Sequence, residues 1–211
     1  NHKALALRGL HTCKTNINGN TLASETITGT SLTQLLIDAY KTRVTDNVYH
    51  ILDKLYDEIK KSSDSSDTLN SIFNSTKELT LDVLDKNDKL LANGFIDMIH
   101  KNCFVDKEGN YIWIDQEWCF NDIPASYVLF HNIVELYSSN SWLNSYITIK
   151  QIFKHYNLNN KTTCYFNVKK AIFNTIQNQY STFNYWQLSD FDYKNVENNI
   201  VMLHNNLINN Q

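Results

Sequence analysis

Residues 94–118 read GFIDMIHKNCFVDKEGNYIWIDQEW. Two short apolar runs, one ending at Val105 and one starting at Tyr111, flank a polar segment. That pattern predicts two strands around a turn containing Glu108-Gly109-Asn110. Counting outward from the turn places Val105 opposite Ile112 and Asn102 opposite Asp115. The hairpin then returns Asp115 to the end where Asn102 stands, with Asp97 just before that end. Two carboxylates and an amide converging there can hold a hard cation together with phosphate oxygens. Glu117 lies two residues past Asp115, so on an extended strand it points to the same side as a second metal ligand or an orienting acid. Each residue also has a purely structural use: Asp97 capping a turn, Asn102 satisfying loop backbone, Asp115 ending a strand.

Working outward, Leu32, Leu35, Leu36, Ala39 and Tyr40 recur at helical spacing, with Thr30 or Ser31 as the cap. Val48, Ile51, Leu52, Leu55, Tyr56 and Ile59 repeat the pattern. Residues 60–68, KKSSDSSDT, predict a polar loop and the segment best suited to disorder. Shorter helical pieces are expected over 69–91. Upstream, Ile17-Asn18-Gly19-Asn20 predicts a turn and residues 21–28 a strand. Downstream, Asp122 stands as a cap for an apolar helix over 125–137. Amphipathic helices follow over 141–156, 163–180 and 192–208. The expected fold class is α+β, mainly helical.

The chain has 211 residues, enough for one domain, and 42% apolar content supports a sizeable core. A net charge of −3 gives no electrostatic support for binding nucleic acid or an acidic membrane. No apolar run approaches the length of a membrane span, and NHKALALRGL lacks the apolar core of a signal peptide. Four dispersed cysteines make no zinc motif and read as free thiols in a reducing, cytoplasmic compartment. Trp113 and Trp118 flank the acid end of the hairpin, as a sugar-stacking platform or as packing against the next helix. His100 and Lys101 can meet a phosphate there or simply face solvent, and His131 reads as a satisfied core histidine.

Asp97-x-x-x-x-Asn102 followed by Ile114-Asp115 resembles the catalytic loop and metal-binding segment of the protein-kinase-like superfamily, most nearly its aminoglycoside-phosphotransferase-like branch. The ending Asp115-Gln116-Glu117-Trp118 resembles kinase-like domains appended to bacterial sugar-modifying methyltransferases and glycosyltransferases. Residues 25–32, ETITGTSL, resemble the E-x-I-x-G-x-S-L hinge that joins the two lobes. The resemblance implies a helical kinase-like C-terminal lobe with a catalytic hairpin over residues 31–211. It implies a remnant of a reduced or missing N-terminal lobe, with the hinge-like segment, over residues 1–30. ATP and Mg2+ are the implied cofactors. Asp97 matches the catalytic base, and Asn102 and Asp115 match the metal ligands at the nucleotide, with Glu117 as a further ligand. Ile27 sits where the hinge contacts adenine. Phe95 and Ile96 stand where the superfamily usually has His-Gly or His-Arg. Gly9, Gly19 and Gly29 do not form a glycine-rich loop, and Lys3 is the one early lysine in a partly apolar run.

The implied activity is phosphate transfer from ATP to a sugar or small-molecule hydroxyl in bacterial surface-glycan biosynthesis. The alternative is a non-catalytic kinase-like scaffold or glycan-binding module attached to a methyltransferase or glycosyltransferase.

Overall fold

The computed structural model describes residues 1–18, 21–74 and 88–179. The expected turn at Gly19-Asn20 and the helix over 192–208 lie outside them. In chain order the helices are α1 (His2–Leu7), α2 (Leu32–Lys41), α3 (Thr45–Lys61), α4 (Ser71–Asn74), α5 (Ala125–Ser139), α6 (Ile149–His155) and α7 (Thr162–Gln179). The strands are β1 (His11–Thr12), β2 (Thr15–Asn18), β3 (Thr21–Ser24), β4 (Thr30–Ser31), β5 (Leu90–Leu91), β6 (Gly94–Phe95), β7 (Cys103–Val105), β8 (Tyr111–Trp113), β9 (Cys119–Phe120) and β10 (Ile123–Pro124). The architecture is therefore mixed α+β with helices predominating. No helix among the described residues is long and apolar enough to cross a membrane.

The expected hairpin is β7–β8, within a four-stranded sheet of order β1-β8-β7-β4. Its register differs by one residue from the expected one: Val105 faces Tyr111, Phe104 faces Ile112 and Cys103 faces Trp113. The loop explains the shift. Asp106 pairs with Asn110 through Asp106 N–H to Asn110 O at 3.1 Å, and Gly109 closes the turn in left-handed backbone at φ 83°. The Asp106 carboxylate also accepts the Asn110 amide N–H at 2.8 Å and its side-chain Nδ2 at 3.0 Å. A three-residue loop, Lys107-Glu108-Gly109, thus replaces an even-length turn, and Asn102 stands across from Ile114 instead of Asp115.

β4 adds to the other edge of the hairpin, pairing Thr30 with Val105 and Ser31 with Phe104. Gly29 permits that approach, because a Cβ there would sit 2.5 Å from the Val105 carbonyl oxygen. Gly29→Ala is expected to push β4 off β7 and to cost about 1–3 kcal/mol. The urea midpoint of the variant measures this; an unchanged midpoint would remove the close approach from the account. Ser31 then caps α2 by accepting the Gln34 N–H at 3.2 Å.

α5 is buried on nearly every side, which matches its unbroken apolar sequence. Phe130 packs against Phe153, Tyr165 and Phe166 with ring centroids 5.3, 5.3 and 5.0 Å apart. The helix expected over 141–156 is broken: a 3-10 segment at Ser141–Ser145 precedes α6, and Thr148 with Gln151 forms a reciprocal capping box. Residues 90–91, expected in a helical piece, form β5 against β10.

The polar 60–68 segment is tightly held rather than loose. Ser62 and Ser63 are buried, Arg8 pairs with Asp64, and Lys89 Nζ donates to the carbonyls of Lys60 (2.7 Å) and Ser63. Asp122 does not cap α5. It adopts φ 59° and accepts from Ser66 Oγ, while Asp88 accepts the Ser126 N–H at 3.1 Å in its place.

Candidate functional site

Asp97 is placed by a short ladder. β6 pairs with β9, Phe95 opposite Cys119, and Ile96 N–H continues it by donating to the Trp118 carbonyl at 3.2 Å. Two residues farther along, Asp97 meets the chain at Glu117. Its Oδ2 accepts the Glu117 N–H at 3.0 Å and the Trp118 N–H at 2.7 Å. Burial pushes the Asp97 carboxyl up to about 6. The two amide hydrogen bonds pull the other way, and the negative charges of Asp115 and Glu117 add to the rise.

Asn102 joins the two ends of the cluster. Its Nδ2 donates to the Asp97 carbonyl at 3.1 Å and to the Asp115 carbonyl at 3.3 Å. Turning the amide over would set its oxygen against two carbonyl oxygens, so the orientation is fixed. Both donors are then engaged, and Oδ1 keeps its acceptor capacity. Asp115 follows β8 in left-handed backbone at φ 53°, with its side chain exposed. Aspartate tolerates that conformation better than most residues. The left-handed turn at Asp115, after β8 ends at Trp113, interrupts the two-residue alternation expected from Asp115 to Glu117. Glu117 reaches the cluster through its backbone instead, and its side chain is exposed.

Asp97, Asn102, Asp115 and Glu117 are thus brought together, as the sequence spacing suggests. Ile27 is half-buried in the connection between β3 and β4. Among the described residues no group of three or more His, Cys, Asp and Glu side chains is placed to hold a metal ion. The contacts that join the cluster run from the Asn102 amide and the Asp97 carboxylate to backbone atoms, while Asp115 and Glu117 are exposed.

The flanking residues have settled roles. Trp113 is fully buried and donates from Nε1 to Glu58 Oε2 at 3.3 Å, so it is no sugar platform. His100 is fully buried rather than facing solvent or a phosphate. Its Nδ1 lies 2.7 Å from Thr33 Oγ1, Nε2 has no partner among the described residues, and burial pushes the ring down to about 4. Lys101 pairs with Glu135 at 3.2 Å, and Glu135 also holds Lys169 at 2.8 Å. Lys169 Nζ in turn donates to His131 Nδ1 at 2.7 Å, which bears out a satisfied His131. The four cysteines are free.

Three further residues shape the site without having stood out in the sequence. Asn132, fully buried on α5, accepts the His100 N–H at 3.4 Å and donates to the Met98 carbonyl at 3.0 Å, clamping the Asp97–Asn102 loop to the core. Its signal was a lone amide inside an apolar helix. Gln116, 5% exposed, donates from Nε2 to the carbonyls of Asp97 (2.9 Å) and Ile114 (2.8 Å). Asn1 reaches over from the start of α1 and donates to the Gln116 carbonyl at 2.8 Å and the Glu117 carbonyl at 3.1 Å. No local pattern foretells that contact across the chain.

No protein-family model, curated protein or solved structure matches this chain.

Proposed function

We propose that the chain is a kinase-like domain that transfers the terminal phosphate of ATP to a hydroxyl of a sugar or small molecule, in bacterial surface-glycan biosynthesis in the cytoplasm. The reading rests on the resemblance carried by residues 25–32 and 94–118. One observation supports it most: the Asn102 amide nitrogen is held by the Asp97 and Asp115 carbonyls, and among the described residues its oxygen accepts no hydrogen bond. In this reading Asn102 and Asp115 hold Mg2+, with Glu117 available as a further acid, and Ile27 lies on the segment that meets adenine. The ion would neutralise charge on the phosphate oxygens.

Asp97 orients the acceptor hydroxyl and takes its proton as the new oxygen–phosphorus bond forms and the bond to the departing ADP oxygen breaks. A carboxyl raised to about 6 is mostly ionised at neutral pH and still basic enough to accept a proton late in the step. The clamp from Asn132 and the two amides on Oδ2 fix the carboxyl in place before the acceptor arrives.

A second reading is a non-catalytic kinase-like scaffold or glycan-binding module beside a methyltransferase or glycosyltransferase. The amide bonds to Asp97 Oδ2 favour it, since they give that carboxylate a structural use, and so does the lack of a glycine-rich loop in the sequence. Thermal unfolding with ATP, with and without Mg2+, separates the two. The first reading expects a Mg2+-dependent gain of about 2.7 kcal/mol at ATP a hundredfold above its dissociation constant. No gain at saturating Mg2+ and ATP would leave the scaffold reading.

A further inference from the structure

We infer that the open depression between the α2–α3 turn and the turn preceding α6 binds a small hydroxylated ring that carries a carboxylate or a phosphate. The depression has a volume of about 310 Å3 and is lined by Arg43, Thr45, Ser145, Tyr146 and Ile147. That size is in the range of small-molecule sites. Two large apolar side chains stay partly exposed here: Tyr146 of the lining at 40%, and Trp142, which packs against it, at 38%. The Trp142 and Tyr146 rings meet edge-on with centroids 5.6 Å apart. Such rings keep apolar surface for the C–H face of a sugar.

The Arg43 guanidinium lies 5.3 Å from the centre of the Tyr146 ring. A stacked guanidinium keeps its N–H edge for a bidentate anion and has less freedom to lose on binding. Arg43 makes no ion pair with a carboxylate among the described residues, so the charge is uncommitted there. It also sits in left-handed backbone at φ 59°, which few residues other than glycine adopt. Thr45 and Ser145, from opposite walls, supply hydroxyls for ring hydroxyls, and Ile147 supplies apolar floor.

A protein partner fits poorly. Two partly exposed apolar side chains are far short of the roughly 800 Å2 that each side of a stable interface covers. α2 has 10 residues, so this site lies roughly 15 Å along that helix from β4. It is separate from the Asp97 cluster and does not depend on phosphate transfer.

Glucuronate, glucose 6-phosphate and glucose, titrated singly into 15N-labelled protein, test the assignment. The Trp142 indole N–H and the Arg43, Thr45 and Ile147 amide signals are expected to shift saturably with the two anions, and about tenfold more weakly with glucose. The tighter anion identifies carboxylate or phosphate. Arg43→Asn, which tolerates the left-handed backbone, is expected to erase the preference for the anions while the remaining spectrum stays dispersed. Three results would overturn the assignment. The anions produce no saturable shift, glucose matches them, or the signals move with protein concentration instead of sugar, which would make the patch a self-contact.

Discussion

Asp97→Asn is expected to slow phosphate transfer by about 10²–10⁴-fold and, at the same time, to make the protein more stable at neutral pH. The two effects share one cause. The fold buries the carboxyl and sets it near Asp115 and Glu117, which holds it up at about 6. In the unfolded chain the same group titrates near 3.9. Between these values the native state keeps a proton that the unfolded state has released. Stability therefore falls as pH rises from about 4 to about 6, and the full cost is present at pH 7. For a partly exposed group it amounts to about 1–3 kcal/mol. An amide of the same shape keeps an acceptor for the Glu117 and Trp118 N–H groups and carries no charge to penalise. Melting curves of the two proteins should coincide near pH 4, separate between about pH 4 and pH 6 and keep a constant gap above that, and wild-type transfer should rise through about pH 6. A variant no more stable than the wild type at pH 7, or a transfer rate flat across pH 5–7, would contradict the raised carboxyl.

The second large effect lies away from the candidate site. Asp88→Ala is expected to destabilise the fold by about 3–5 kcal/mol. Asp88 Oδ2 pairs with Lys161 at 3.1 Å, and the two side chains are 1% and 3% exposed. The same carboxylate accepts the Ser126 N–H and hydroxyl in the first turn of α5, and Ser126 Oγ contacts Tyr165 OH at 2.6 Å. Removing the acid leaves a buried ammonium without its counter-charge and an open N–H at the start of the central helix. Replacing both partners, Asp88→Ala with Lys161→Met, should recover much of the loss, because burying two charges has a cost that the pair barely repays. Guanidinium denaturation of the two variants decides this. A loss under about 1 kcal/mol for the single variant would show that solvent reaches the pair.

Much of the helical frame could be read from periodicity, because α2, α3, α5 and α7 each carry an apolar face or body that must be buried. The hairpin could be read for the same reason, but its register could not. Whether Gly109 closes a three-residue loop or sits inside a longer one depends on the Asp106–Asn110 bonds, and alternating sequence is indifferent to that choice. The convergence of Asp97, Asn102 and Asp115 survives the one-residue shift because the Asn102 amide spans both neighbouring carbonyls. The cap of α5 was illegible for a physical reason. A local search stops at Asp122, whereas the helix takes its acceptor from Asp88, far back in the chain. Ser62 and Ser63 read as loop polarity, yet they are buried because backbone carbonyls and Lys89 satisfy each other there.

The central claim is that residues 97, 102 and 115 form one pocket for a divalent ion and a nucleotide phosphate. Paramagnetic broadening by Mn2+ in the presence of ATP tests it most directly. One equivalent is expected to broaden the Asn102 side-chain amide and the Asp97 and Asp115 backbone signals before any others, and Asp115→Ala to abolish this selectivity. Broadening centred elsewhere on the protein, or unchanged in Asp115→Ala, would contradict the claim.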